Sequence, residues 1–151
     1  MERRDFMTAI GAVAAFGAIG AAQAHEMGHD HSGHGAGGHD HPPKYRALTE
    51  SSAHCVSTGN ACLRHCFGML AMKDTSMASC TASVHDLIQA CTALEALSAV
   101  NSPHTAILAK AVGEICIACG KECDKFPDIA ECKACGASCR ACAEECRKIA
   151  A

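Results

Sequence analysis

The sequence contains no tryptophan, one tyrosine and four phenylalanines. From Ala47 onward, large aliphatic side chains are sparse as well. A chain of 151 residues holds one domain plus a short appendage. Its apolar core is therefore expected to be thin, and something besides hydrocarbon must help hold the fold together. The hydrophobic fraction of 49% does not contradict this, because much of it is alanine and cysteine. No basic block is present and the formal charge is −3, which argues against nucleic acid as a partner. No Ser/His/Asp set, no phosphate loop and no cleft-forming carboxylate pair appears, so the chain is expected not to be an enzyme.

What the chain has instead is thirteen cysteines, an odd number that rules out complete pairing within the chain. They are Cys55, Cys62, Cys66, Cys80, Cys91, Cys116, Cys119, Cys123, Cys132, Cys135, Cys139, Cys142 and Cys146. The last eight form C-x-x-C-x-x-x-C, a gap, then C-x-x-C-x-x-x-C-x-x-C-x-x-x-C. Steps of three and four return to one side of an α-helix, so the final five fall in an arc of roughly 80°.

Residues 1–24 read as an export signal. Arg3-Arg4-Asp5-Phe6-Met7 resembles the twin-arginine motif, although Glu2 replaces the usual Ser or Thr. A Gly/Ala-rich apolar stretch follows, and Ala22-Gln23-Ala24 forms a small-x-small cleavage site. The stretch is short for a membrane anchor, which needs about 20 residues. The twin-arginine route carries folded proteins, so the chain is expected to reach the periplasm or an intracytoplasmic-membrane lumen with its thiols already folded in. Residues 25–46 carry His25, His29, His31, His34, His39 and His41 among Gly and Asp. This segment cannot bury a core and is expected to be disordered. It either binds divalent metal weakly or is a solvated spacer.

From residue 47 to 151 four helical patterns predict an all-α, antiparallel up-down-up-down four-helix bundle with a cysteine-lined core. The first runs from a cap at Thr49 or Ser51 to about Met72, with Cys55, Cys62 and Cys66 within an arc of roughly 40°. The second, capped by Asp74 or Thr75, reaches about Val100. It places Cys80 and Cys91 on the side of Val84, Leu87 and Leu94. Asn101-Ser102-Pro103 ends it and starts the third, which runs to about Lys125. After the turn at Phe126-Pro127-Asp128 the fourth runs to about Ile149, with Arg147 and Lys148 in its last turn. The cysteine faces must point inward, because no other stripe is apolar enough to form a core. Gly59, Gly113, Gly120 and Gly136 lie among them and are expected to let backbones approach or leave room for contents.

A stapled secreted scaffold is the ordinary reading of many cysteines. The odd count and the one-face spacing oppose it, since i, i+3 and i+4 neighbours on a regular helix bridge poorly. An inert thiol core explains one or two cysteines per helix, but not eight within the closing run. Structural zinc sites are closed sets of four with loop spacing, and iron–sulfur binding favours a cysteine loop ending in proline. Soft Cu(I) suits thiolates and accepts two or three of them. Each thiolate neutralises one Cu⁺, so filling at roughly one ion per cysteine adds no net buried charge. On the first helix His65, Met69 and Met72 are spaced i, i+4, i+7, and Met77 opens the second across the turn. These neutral ligands either form a weaker mouth for ions or simply plug the bundle end. His54, His85 and His104 lack such company and read as surface residues.

The leader, the four helices and the inward ladder resemble the bacterial copper storage proteins, more narrowly the exported members of methane-oxidising bacteria. The resemblance covers the leader and the chain from Thr49 onward. It implies a homotetramer of bundles holding many Cu(I) ions for copper enzymes such as particulate methane monooxygenase. It also implies ligation by His65, Met69, Met72 and Met77 at the open end. Ile107 and Ile117, turned away from the cysteine face, are candidates for a subunit contact. Two other readings stand beside it: a metallothionein-like buffer for zinc or heavy metals, and a thiol oxidoreductase using one C-x-x-C pair.

Overall fold

A computed structural model describes residues 41–150. The expected leader and most of the histidine-rich segment lie outside the described residues. Four helices are present among them: α1 (Arg46–Ala71), α2 (Ala78–Ala99), α3 (Thr105–Cys123) and α4 (Ala130–Ala150). Short connections force each to run back along its predecessor. α1 packs on α2 and α4, and α3 packs on α2 and α4, while the backbones of the diagonal pairs stay apart across the axis. The result is the predicted up-down-up-down ring around a central axis. No described helix is long and apolar enough to cross a membrane.

Each helix buries one stripe at steps of three and four. On α1 this is Leu48, Ser52, Cys55, Gly59, Cys62 and Cys66. On α4 it is Cys132, Cys135, Gly136, Ser138, Cys139, Cys142 and Cys146. Alternating steps of three and four define the seam of a bundle packed near-parallel. At the end formed by the α2–α3 turn the filling is hydrocarbon: Leu48, Leu94, Ala109 and Val112 are fully buried there. Toward the opposite end, where α1 meets α2 and α3 meets α4, cysteine takes over. Val84, Leu87 and Ile88 carry hydrocarbon on along α2, and Met77 fills the space beside the α1–α2 turn. Hydroxyl pairs add ties between helices, Thr49 with Ser98 at 2.8 Å and Thr58 with Ser138 at 2.6 Å.

The expected caps differ in detail. α1 starts at Arg46, earlier than Thr49 or Ser51, after an uncapped Tyr45. Thr49 instead donates to the Tyr45 carbonyl and pairs with Ser98. The chain ahead of the helix is fixed by Asn101, which accepts from the Lys44 N–H and donates to the Pro42 carbonyl. Asp74 closes a local turn on the Ser76 N–H instead of capping α2, which begins at Ala78. Ser102 does accept a bond from the His104 N–H, but α3 starts at Thr105, beyond Pro103.

Both α1 and α2 end in a left-handed residue, Lys73 at φ 64° and Asn101 at φ 54°. The bonds that follow are paired in each case. Asp74 N–H reaches the Met69 carbonyl and Lys73 N–H that of Leu70, while Ser102 N–H reaches Leu97 and Asn101 N–H reaches Ser98. This paired pattern satisfies the last carbonyls and is normally completed by Gly. Asn adopts the conformation at less cost than Lys does. Lys73→Gly is therefore expected to stabilise the reduced, metal-free protein by about 0.5–1 kcal/mol, measured as a rise in the denaturant midpoint at unchanged slope.

Candidate metal centre

All thirteen cysteines are free thiols, and none is more than 1% exposed. Burial on this scale follows from the ladder. A helix has one inward stripe, and on α4 that stripe is cysteine apart from Gly136 and Ser138. Glycines bring the stripes close. A Cβ added at Gly113 would stand 3.2 Å from that of Cys146, and one at Gly59 would stand 2.9 Å from Ile88 Cγ1.

The sulfurs gather in groups whose members all lie within 4.8 Å of one another. Cys55, Cys91, Cys116 and Cys142 form one, with one thiol from each helix. Cys119, Cys135 and Cys139 form a second; Cys62, Cys123 and Cys135 a third; Cys62, Cys66 and Cys80 a fourth. Cys62 and Cys135 each belong to two groups, so the last three are continuous. Cys132 joins them through a 3.7 Å Sγ–Sγ approach to Cys62. Cys146 follows Cys142 by four residues on α4 and extends the first group along that helix. A metal–sulfur bond of about 2.3 Å, as for zinc, sets bridged sulfurs up to about 4.6 Å apart. The spacing in the hollow therefore suits ions held between thiolates without large rearrangement.

Sharing of protons among neighbouring thiols shifts them in opposite directions. Cys142 is held far below the usual thiol range by bonds from Cys116, Cys146 and others. Cys119 is lowered in the same way by Cys123, Cys135 and Cys139. Bonds from Cys116 and Cys139 bring Cys55 to about 5. The donors move the other way. Cys116 is pushed up by its bond to Cys142, and Cys135 by its bond to Cys119. At Cys80 a bond from Cys123 works downward, but the bond to Cys62 and burial outweigh it and leave the thiol at about 12. A thiolate ringed by thiol donors is a local negative charge that is stabilised without water. Such a lining attracts soft cations and has protons to exchange for them.

The residues expected at the mouth are distributed less evenly. Met77 is 1% exposed, and Met69 is half-buried against the core. His65 is half-buried, and its Nε2 is a buried atom with no hydrogen-bond partner. An imidazole nitrogen in that state suits a ligand role. Met72 is 70% exposed, so its thioether stands outside the packed group. His54, His85 and His104 are exposed, as the sequence suggested. Ile107 and Ile117 are exposed at 76% and 52%. Two residues near the sulfurs were not anticipated. Ser52 Oγ lies 3.9 Å from Cys142 Sγ, and a Glu131 carboxylate oxygen lies 3.9 Å from His65 Nδ1. Neither has a signal in its own stretch of sequence, because each meets its neighbour across a helix pair.

Residues 41–151 match a family profile described as copper storage protein, Csp. Among solved structures, metal-free copper storage protein 3 from Bacillus subtilis is similar at 28% identity and a TM-score of 0.62. The match covers 70% of this chain and 98% of that one. The Cu(I)-bound form of the same Bacillus protein is similar at 28% identity and a TM-score of 0.61, over 70% of this chain and 97% of that one. A comparison with curated proteins finds no match.

Proposed function

The chain belongs to the copper storage protein family, and on that premise we propose that it holds Cu(I) at about one ion per thiol and exchanges it through the His65 end. The protein stores copper on cysteine sulfur and is not an enzyme. One observation carries this reading: four buried thiols, one from each helix, meet within 4.8 Å, and further sulfurs continue from there toward one end.

The ion count rests on charge. Two-coordinate Cu(I) between thiolates leaves a negative site, and sharing sulfurs between ions brings the total toward one to one. Cys62 and Cys135, each in two groups, are placed for such sharing. A large imbalance of either sign would be strongly unfavourable among buried side chains. The exchange end is argued from ligand type. His65, Met69 and Met77 are neutral and hold Cu(I) less tightly than thiolate, so an ion passing them is not trapped. Met72 would join by turning inward.

Three further elements of the reading rest on sequence. The Arg3-Arg4 leader supports export of an already folded bundle. The exposed Ile107 and Ile117 support assembly of bundles, with the homotetramer as the expected state. The recipients would be copper enzymes of the exported compartment, with particulate methane monooxygenase the candidate that the resemblance supplies.

Titrating Cu(I) into the reduced protein against a competing chelator is expected to continue to about thirteen ions per chain, one for each cysteine. Saturation at one to three ions would indicate a discrete site or a carrier and end the storage stoichiometry. Preference for Zn(II) in the same competition would favour the buffer reading instead.

A further inference from the structure

Glu131 opens α4 and lies opposite the last turns of α1. Its two carboxylate oxygens face different partners. Arg64 Nη2 donates to Oε1 at 3.4 Å, and His65 Nδ1 lies 3.9 Å from Oε2. The other ring nitrogen, Nε2, is the one buried side-chain nitrogen or oxygen among the described residues that lacks a hydrogen-bond partner. His65 itself stands between Cys62 and Cys66, both fully buried and both in the thiol group nearest this end.

We propose that Glu131 is a positioning residue for His65. Its carboxylate, which Arg64 also touches, holds the imidazole in the tautomer with the proton on Nδ1, leaving Nε2 bare and turned inward as a ligand for the outermost Cu(I). The inference rests on the storage reading above, and it assigns the latch of that site to a residue that is not itself a ligand.

The physics is local. A neutral imidazole carries one proton, and the nitrogen that faces an acceptor keeps it. The 3.9 Å separation exceeds a hydrogen bond, but a side-chain shift of under about 1 Å closes it. A buried Nε2–H with nothing to bond would be unfavourable, so the interior disfavours the alternative tautomer. Binding a cation at Nε2 makes Nδ1–H a stronger donor, which draws the carboxylate in. Metal-bound histidines are commonly held in this way, and loss of the carboxylate partner weakens metal binding about 10–100-fold. Negative charge is also favoured in the first turn of α4 by the helix dipole, so Glu131 suits its position before any metal arrives. Arg64, itself 75% exposed, adds only a weak second contact to the carboxylate.

The test uses reduced full-length protein with ¹⁵N-labelled histidine, in mildly alkaline buffer. In the metal-free wild type the His65 signals are expected to show Nδ1 protonated and Nε2 bare. In Glu131→Ala both tautomers should be populated, with helix content unchanged. Glu131→Gln, whose amide oxygen still accepts, should restore the wild-type tautomer. After full loading, the first Cu(I) withdrawn by a chelator should leave about tenfold faster from Glu131→Ala. The same substitution in a His65→Ala background should add nothing. An unchanged tautomer in Glu131→Ala, or an equal acceleration without His65, overturns the proposal. A wild-type protein that takes up no Cu(I) defeats the storage reading, whereas normal uptake with an unresponsive tautomer defeats only the role of Glu131.

Discussion

Loading the reduced bundle with Cu(I) is expected to raise its thermal unfolding midpoint by roughly 20 °C or more. The metal-free bundle relies on few large side chains. Leu48, Met77, Leu87 and Leu94 lead its fully buried set, and cysteines make up most of the rest. A ligand that binds only the folded state stabilises it by about 2.7 kcal/mol when present at 100 times its dissociation constant. Several ions held between different helices add such contributions. In a domain of this size each kcal/mol moves the midpoint by roughly 4 °C or more. Thiols of the unfolded chain also bind copper, which reduces the gain but does not abolish it. Only the fold brings Cys55, Cys91, Cys116 and Cys142 together from four helices. Calorimetry of metal-free and loaded protein under reducing conditions measures the difference. An unchanged midpoint would mean that copper sits outside the folded hollow.

The second large effect is on pH. Cys116 and Cys135 are pushed up by the hydrogen bonds they give to Cys142 and Cys119, and Cys80 stands at about 12. These sulfurs carry protons in neutral solution and must lose them to bind Cu(I) as thiolates. Cys55, at about 5, and the strongly lowered Cys142 and Cys119 give up their protons more readily. The sign follows. Loading releases protons, so affinity falls as pH falls, by about tenfold per pH unit for each proton displaced per ion. Chelator competition in buffers about two pH units apart should therefore show a loss on the order of a hundredfold for an ion that displaces one proton. Loading in weakly buffered solution should acidify it. Affinity independent of pH would mean that the bound sulfurs were already thiolate, contrary to the upward shifts of Cys116, Cys135 and Cys80.

Much of the architecture was legible before any coordinates. Cysteines at steps of three and four can share one helix face, and a helix with no other apolar stripe must turn that face inward. The burial of all thirteen follows from that rule. Asn101 stopped α2 as expected, because it tolerates the left-handed backbone that closes the helix. The starts of α1 and α2 were less legible. Thr49 and Asp74 had the right chemistry for caps, but Ser98 and Ser76 claimed their oxygens through contacts outside the helical pattern.

Sequence alone determined that the helices would form and that thiols would line their inner faces. Both depend on spacing along one chain and on the period of the helix. Tertiary structure decided which sulfurs meet, because that depends on the height at which each helix stands beside the next. It grouped Cys55 with Cys91, Cys116 and Cys142, and it let Cys62 and Cys135 serve two neighbours. It left the Met72 thioether outside while burying Met77, although both flank the same turn. It also set the carboxylate of Glu131 against His65, a meeting of α1 and α4 that no local pattern encodes.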